Sequence, residues 1–592
     1  MGRRRSTRCA LATAFATATL GLAGAVTPLA GQKAPDLGPN VIVFDPSMPR
    51  ESIQQRLDTI YQQQVRAEFG EKRFALLFKP GTYAFDARVG YYTQIAGLGL
   101  SPDEVVVNGH VQSVSSSPSR HVLTNFWRSA ENLSIAPPDG IDRWAVSQAA
   151  PYRRMHVRGA LMLHDSGWAS GGFMSDTRVD GQVLAGPQQQ WFTRNSEIQG
   201  WQGGHWNMVF LGTPGAPPTL TRDGDVTAAA AHGPIVTTIE TTPVSREKPF
   251  LYVDRGGALA VFVPAVRRNA RGPSWVGGAT AGESLSLDRF LVARPEMSAA
   301  RINAQLARGK HLLLTPGIYR VSEPIRITRP HTIVLGLGLA TVRAENGSKA
   351  MTVADVDGVE IAGILFDAGA VSSPVLLEVG PAGASRNHAA HPTFLFDVFA
   401  RIGGAGPGKA TVSVAVNSRD VVGDHFWLWR ADHGQGVAWD VNTAANGLVV
   451  NGNDVTVYGL FVEHYQQYQV VWNGERGKTY FFQNEIPYDP PGQEAYMAGS
   501  TRGWAAYKVA DNVRRHEAWG LGSYVYFPRH PEMVLDHAFE VPVTPGVRLH
   551  NVVTFSLGGG KGTIEHVVND AGPRARKGDA EPTPLLVDYP AE

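Results

Sequence analysis

Leu76-Leu77-Phe78-Lys79-Pro80-Gly81-Thr82-Tyr83 returns 236 residues later as Leu312-Leu313-Leu314-Thr315-Pro316-Gly317-Ile318-Tyr319. Each copy is followed by the same Gly-Leu-Gly-Leu, at Gly97 to Leu100 and at Gly336 to Leu339. Each is preceded by an amphipathic stretch, Ile53 to Gln64 and Ala299 to Leu306. The repeated unit therefore reads as helix, apolar strand, Pro-Gly turn and further strands. That order suits the start of a right-handed parallel β-helix, in which the helix plugs the open end of the first coil. Two starts imply an all-β chain of two tandem right-handed parallel β-helices packed side by side, with a groove between them.

Working outward, residues 38–240 read as an N-terminal β-helix of short runs such as Val105-Val106-Val107-Asn108-Gly109. Residues 241–292, with Pro243, Pro249 and Gly272-Pro273, read as a connecting segment containing a strand pair. Residues 293–570 form the second β-helix, and residues 571–592 a tail that is either loosely ordered or a closing strap. Residues 1–30 have the form of a secretory signal: Arg3, Arg4, Arg5 and Arg8 precede the apolar run Cys9 to Ala25. The expected location is extracellular. The only cysteine, Cys9, falls in that segment, so a mature chain has neither disulfides nor a Cys-based nucleophile or metal site.

The 592 residues carry 54 Lys and Arg against 53 Asp and Glu. So even a balance favours neither nucleic acid nor an anionic membrane surface, and points to a neutral partner. No nucleotide, haem or zinc signature is present, so no cofactor or metal is expected, and the chain is expected to be a monomer.

Rungs of a parallel β-helix stack about 4.8 Å apart, so residues one rung apart in sequence lie one above the other. Glu463 and Glu485 are 22 residues apart. Stacked carboxylates repel, which raises the proton affinity of one of them, as a general acid for glycosidic cleavage requires. The plainer reading is two glutamates on solvated turns; against it stand Tyr465, Tyr468 and Trp472 near the first and Tyr480, Phe481, Phe482 and Tyr488 near the second. Gln148 and Ser170 show the same 22-residue spacing in the first module and suit a water site or ordinary polar turns. A third cluster, Trp427-Leu428-Trp429-Arg430-Ala431-Asp432-His433, offers indole faces, a carboxylate and an imidazole to a sugar.

Longer segments carry a family resemblance: Phe44-Asp45-Pro46-Ser47, Asn125-Phe126-Trp127-Arg128-Ser129-Ala130-Glu131-Asn132-Leu133, Arg143-Trp144-Ala145-Val146-Ser147-Gln148, Thr242 to Pro249, Trp429 to Gly434, Leu460 to His464 and Gln483-Asn484-Glu485. Together they resemble the glycoside hydrolase family 55 exo-β-1,3-glucanases, or laminarinases, of the secreted actinobacterial branch. The resemblance implies hydrolysis of laminarin-type β-1,3-glucan from the non-reducing end, releasing glucose with inversion. It implies Glu485 as general acid, Glu463 as the second acidic residue, and Gln148 and Ser170 as partners in holding the attacking water. Trp429 and Asp432, with His433 beside them, fall on the terminal-sugar subsite, and Tyr488 follows the acid. Ser166 stands where the family usually has an aromatic residue, and Ile486-Pro487 is closer to the fungal pattern. Stacking at roughly 5 Å by itself suits a retaining pair, whereas inversion needs roughly 6.5–9.5 Å between carboxyls, so the stereochemistry rests on the resemblance alone. Whether Glu463 takes the proton or only polarises the water stays open at this level. Two other readings share the fold: another β-helix carbohydrate-active enzyme, such as a polysaccharide lyase or a different glucan or pectin hydrolase, and a non-catalytic glycan-binding β-helix.

Overall fold

The computed structural model describes residues 36–219, 234–576 and 584–590; the signal-like segment and Cys9 lie outside them. Two pairs of long sheets dominate. A nine-stranded and an eight-stranded sheet form the first β-helix, and a 12-stranded and a nine-stranded sheet form the second. Pairing within these sheets is parallel except at one end, where Leu585–Tyr589 runs antiparallel to Val547–Ser556 and closes the last rung.

The repeated opening has the same physical cause in both copies. Helices Arg50–Gln64 and Ala299–Ala307 lay Ile53, Leu57 and Ile60, and Ile302 and Leu306, over the first coil, where all are buried. At the Pro-Gly turn, any side chain on Gly81 would run into Pro46, and any on Gly317 into Pro295, so glycine alone fits. The tyrosine ending each motif ties the turn to the rung below. Tyr83 Oη lies 2.8 Å from Lys79 O and 3.2 Å from Phe44 O; Tyr319 Oη lies 3.0 Å from Thr315 O and 2.7 Å from Ala293 O.

Between the β-helices, Thr242–Ser245 pairs with Arg267–Ala270, and Phe250–Val253, Leu259–Pro264 and Gly282–Ser286 make an antiparallel meander. The second β-helix begins with Phe290–Ala293, which pairs with His311–Leu314.

The contact between the β-helices is apolar at its centre and ionic along its length. Phe173 and Phe192 of the first meet Phe461 and Phe481 of the second in one buried cluster. Arg153 reaches Asp397 at 2.7 Å and Asp424 at 2.8 Å. Arg194 is held by Asp424 at 2.9 Å and Glu247 at 2.7 Å, and Lys248 by Glu131 at 2.9 Å and Asp397 at 3.1 Å. These groups are almost fully buried, so each charge depends on its partner to offset desolvation. The flanking cations accordingly hold Asp397 well below the usual carboxylate range: burial works against ionisation, but Arg153, Lys248 and His425 outweigh it.

Candidate active site

One column of side chains on the second β-helix organises the groove. Register stacks Arg401, Trp429, Glu463, Glu485, Tyr524 and Phe555 on successive rungs. Glu463 and Glu485 are the last residues of Thr456–Glu463 and Gly477–Glu485, on strands rather than turns, and lie side by side as their spacing requires.

A cavity of about 380 Å³ opens onto this column. Its wall includes Gln148, Ser170, Trp429, Asp432, His433, Glu463, Glu485 and Tyr488, so every site residue expected from the sequence is brought to one place. Of the aromatic residues flanking the glutamates in sequence, Tyr488 alone lines the cavity. Trp472 and Phe482 point into the β-helix core, because strand residues alternate between faces, and Tyr465, just past a strand end, joins them there. Residues that spacing did not single out also contribute: Leu123, Thr124 and Phe126, Gln189, Trp427, His464, Tyr526, Leu557 and Gly558. Phe126 and His464 sit inside motifs already quoted; Leu557-Gly558 leads a glycine-rich turn whose composition gave no chemical signal. Ser166 is outside the lining set and caps its own loop, where its N–H donates to His164 Nδ1 at 3.0 Å.

Glu463 is 3% exposed and gripped from both β-helices. Gln148 Nε2 donates to its Oε1 at 3.0 Å and Trp427 Nε1 to its Oε2 at 2.8 Å. The backbone of Gln148 is in turn held where its carbonyl accepts from His425 Nε2 at 3.1 Å. Burial lifts the Glu463 carboxyl to about 7, opposed by Trp427, Gln483 and Gln148 and assisted by Asp432. Burial also lifts Glu485 to about 7, assisted by the charge of Glu463 and opposed by His464 and Tyr488. The donors decide which member carries the shared proton. An indole N–H and an amide N–H can only donate, and each occupies one oxygen of Glu463, so the charge belongs there. Glu485 accepts the Tyr488 hydroxyl on Oε2, which leaves its second oxygen for the proton. His464 stands 3.9 Å from Glu485 and donates from Nδ1 to Ile486 O at 3.2 Å. Arg430 grips Asp489 through two bonds of 2.8 Å, fixing the turn that carries Tyr488.

The cavity is closed on the Trp429 side. Trp427 and Trp429 stack at 5.0 Å, with Phe126 against Trp427 at 4.7 Å and Phe69 against Trp429 at 6.3 Å. His433 bridges Asp432 at 2.8 Å and Glu68 at 2.6 Å, bolting the loop of the first β-helix across this end. Burial disfavours the His433 imidazolium, but the two carboxylates outweigh it and lift the ring to about 10. Asp432 is itself brought down to about 2, burial being outweighed by His433 and His464. On the preceding rung, Arg401 is covered by Tyr92, whose hydroxyl it reaches at 2.6 Å. A separate groove of about 460 Å³, between Gln54, His110 and Arg143 on the first β-helix, has no aromatic wall. Among the described residues, no His, Cys, Asp or Glu side chains converge as metal ligands would.

Such an arrangement suits cleavage of a neutral sugar polymer at its end, and the known proteins that resemble this chain agree. The LAM55 pectate lyase-like domain matches residues 290–485. An exo-beta-1,3-glucanase of Streptomyces sp. (strain SirexAA-E / ActE) is 53% identical over 571 residues, spanning 95% of this chain and 92% of that protein. The solved structure of sacteLam55A from Streptomyces sp. SirexAA-E superimposes with a TM-score of 0.90 at 52% identity, covering 94% of this chain and 99% of that one. A variant of that enzyme in complex with glucose matches equally, again with a TM-score of 0.90. The chain belongs to the family 55 glycoside hydrolases, the Lam55 exo-β-1,3-glucanases.

Proposed function

We propose that this protein acts outside the cell as an inverting exo-hydrolase, removing single glucose units from the non-reducing end of laminarin-type β-1,3-glucan. The observation that carries the reading is the stacked pair Glu463 and Glu485 beside a cavity end walled by Trp427 and Trp429. A closed end accepts a chain terminus rather than a chain interior. The terminal glucose lies against the indoles, with its hydroxyls toward Asp432 and His433.

Glu485 gives its proton to the glycosidic oxygen as the bond from that oxygen to the anomeric carbon breaks. Water beside Gln148, Ser170 and Glu463 forms the new bond to carbon from the opposite face, and its proton passes to Glu463. The carboxyl of Glu463, lifted to about 7 by burial, is basic enough for that task near neutrality. After the turnover Glu463 is protonated and Glu485 charged, and exchange with solvent restores the pair.

Incubation with laminarin, followed by NMR of the freshly released sugar, tests the reading: α-glucose is expected. Fresh β-glucose would remove the inverting mechanism, an unsaturated product would indicate a lyase, and binding without release would leave a glycan-binding protein. Secretion rests on the composition of residues 1–30, and the N-terminal sequence of the mature protein checks it.

A further inference from the structure

Next to the carboxylate pair, two ladders face each other across the contact between the β-helices. On the first, Gly171 is followed on successive rungs by Gln190, Asn207 and Ile235. On the second, Phe461 is followed by Gln483, Gly522 and Val553. The ends of the ladders are matched and dry: a side chain on Gly171 would stand 3.2 Å from Phe461, and Ile235 packs with Val553. The middle rungs carry Gln190 and Asn207 on the first ladder and Gln483 and Gly522 on the second, and a side chain on Gly520 would stand 3.4 Å from Asn207 Oδ1. Tyr524 lays its hydroxyl over Gly522, and Trp206 packs at a tilt against Tyr524 at 4.6 Å.

Seven polar atoms here have no protein partner: Gln190 Oε1, both amide atoms of Gln483, both amide atoms of Asn207, Tyr524 Oη and Trp206 Nε1. None of the five residues is more than 4% exposed. Three of the atoms are acceptors and four can donate, and buried polar groups of both kinds gathered in one patch are what internal water requires. The patch also touches the catalytic groups directly. Gln190 Nε2 donates to Ser170 O at 2.7 Å, and Gln483, with no hydrogen bond of its own, stacks on the rung after Phe461, two residues from Glu463, and favours the charged form of that carboxyl.

We propose that this patch is a water-binding site, a reserve that refills the hydrolytic position from behind while the sugar chain occupies the mouth of the cavity. The proposal rests on the glucanase reading, because a hydrolase consumes one water per bond cut. Gln190, Asn207, Gln483 and Tyr524 hold the waters, and Gln190 and Gln483 link them to Ser170 and Glu463. These are positioning residues; they do not touch the sugar.

Asn207→Leu, close to isosteric, removes two anchors and dries the patch. In full-length protein it is expected to lower kcat on laminarin about tenfold. KM should stay within about twofold and the thermal midpoint should not fall. Asn207→Ser, which keeps an anchor, is expected to restore most of the rate, and Gln190→Met repeats the test should the leucine variant misfold. A high-resolution crystal structure of the wild type is expected to show ordered waters among these side chains. Unchanged kcat in folded Asn207→Leu, equal loss in the serine and leucine variants, or amides paired directly with no water between them would each overturn the proposal. A wild type inactive on laminarin would instead strike the glucanase reading.

Discussion

Gln148, in the first β-helix, donates its side-chain amide to Glu463, in the second, at 3.0 Å, across 315 residues of sequence. This bond makes the site a joint property of both repeats. Gln148→Leu leaves one Glu463 oxygen without its donor and loosens the water position, and kcat on laminarin is expected to fall about ten- to a hundredfold. A double-mutant cycle with Glu463→Gln should return a coupling of about 1–3 kcal/mol in transition-state stabilisation.

Glu485→Gln removes the transferable proton and keeps the shape. Laminarin hydrolysis in steady-state assays is expected to drop by about 10²–10⁴-fold, with the protein folded and laminarin still bound. Near-normal turnover would assign the acid elsewhere.

Activity needs Glu485 protonated, so it is expected to decline as pH rises through about 7. The charge of Glu463 helps hold that proton, so in Glu463→Gln the residual activity should lose its alkaline limb at lower pH. Stability moves the same way. Both carboxyls bind protons more tightly folded than at their ordinary value of 4.5, so what they contribute is complete below that pH and lost as pH rises through about 7. Melting curves between pH 4 and pH 8 check the sign, and Glu485→Gln should flatten the slope.

Arg153 neutralises both Asp397 and Asp424 at the buried contact. Arg153→Met takes one cation from each of two buried carboxylates, leaving Lys248 to Asp397 and Arg194 to Asp424, and a loss of about 3–5 kcal/mol in chemical unfolding is expected.

The Trp429 end is shut by Glu68 and Phe69. The double variant Glu68→Ala, Phe69→Ala unbolts it, and product chromatography is expected to show laminaribiose beside glucose. Glucose as the sole product would place the stop on Trp427 and Trp429 themselves.

Architecture was legible in the sequence wherever a rung repeats. Pro80-Gly81 and Pro316-Gly317 mark matching coils because a proline one rung earlier excludes every residue but glycine, and that constraint is local. The pairing of Glu463 with Glu485 was legible for the same reason: 22 residues is one rung there. Contacts between the two β-helices have no such period. Nothing in spacing brings Gln148 to Glu463 or Glu68 to His433, since their separation depends on how two solids pack; the family resemblance supplied the first and gave no sign of the second. Tyr526 and Gly558 were missed because each lies just past a strand end, where the rung period stops specifying position. Within the tail, composition gave no strand, yet Leu585–Tyr589 pairs antiparallel with Val547–Ser556.

The bolt between Glu68 and His433 also governs traffic. A glucose cut off at the blind end sits deeper than the remaining chain, with no back door on the Trp429 side. The shortened glucan must withdraw before the sugar can escape, so each cleavage ends in full release and a new encounter. Degradation should therefore proceed distributively, trimming a population of chains in parallel, and free glucose should compete with polymer for the same pocket.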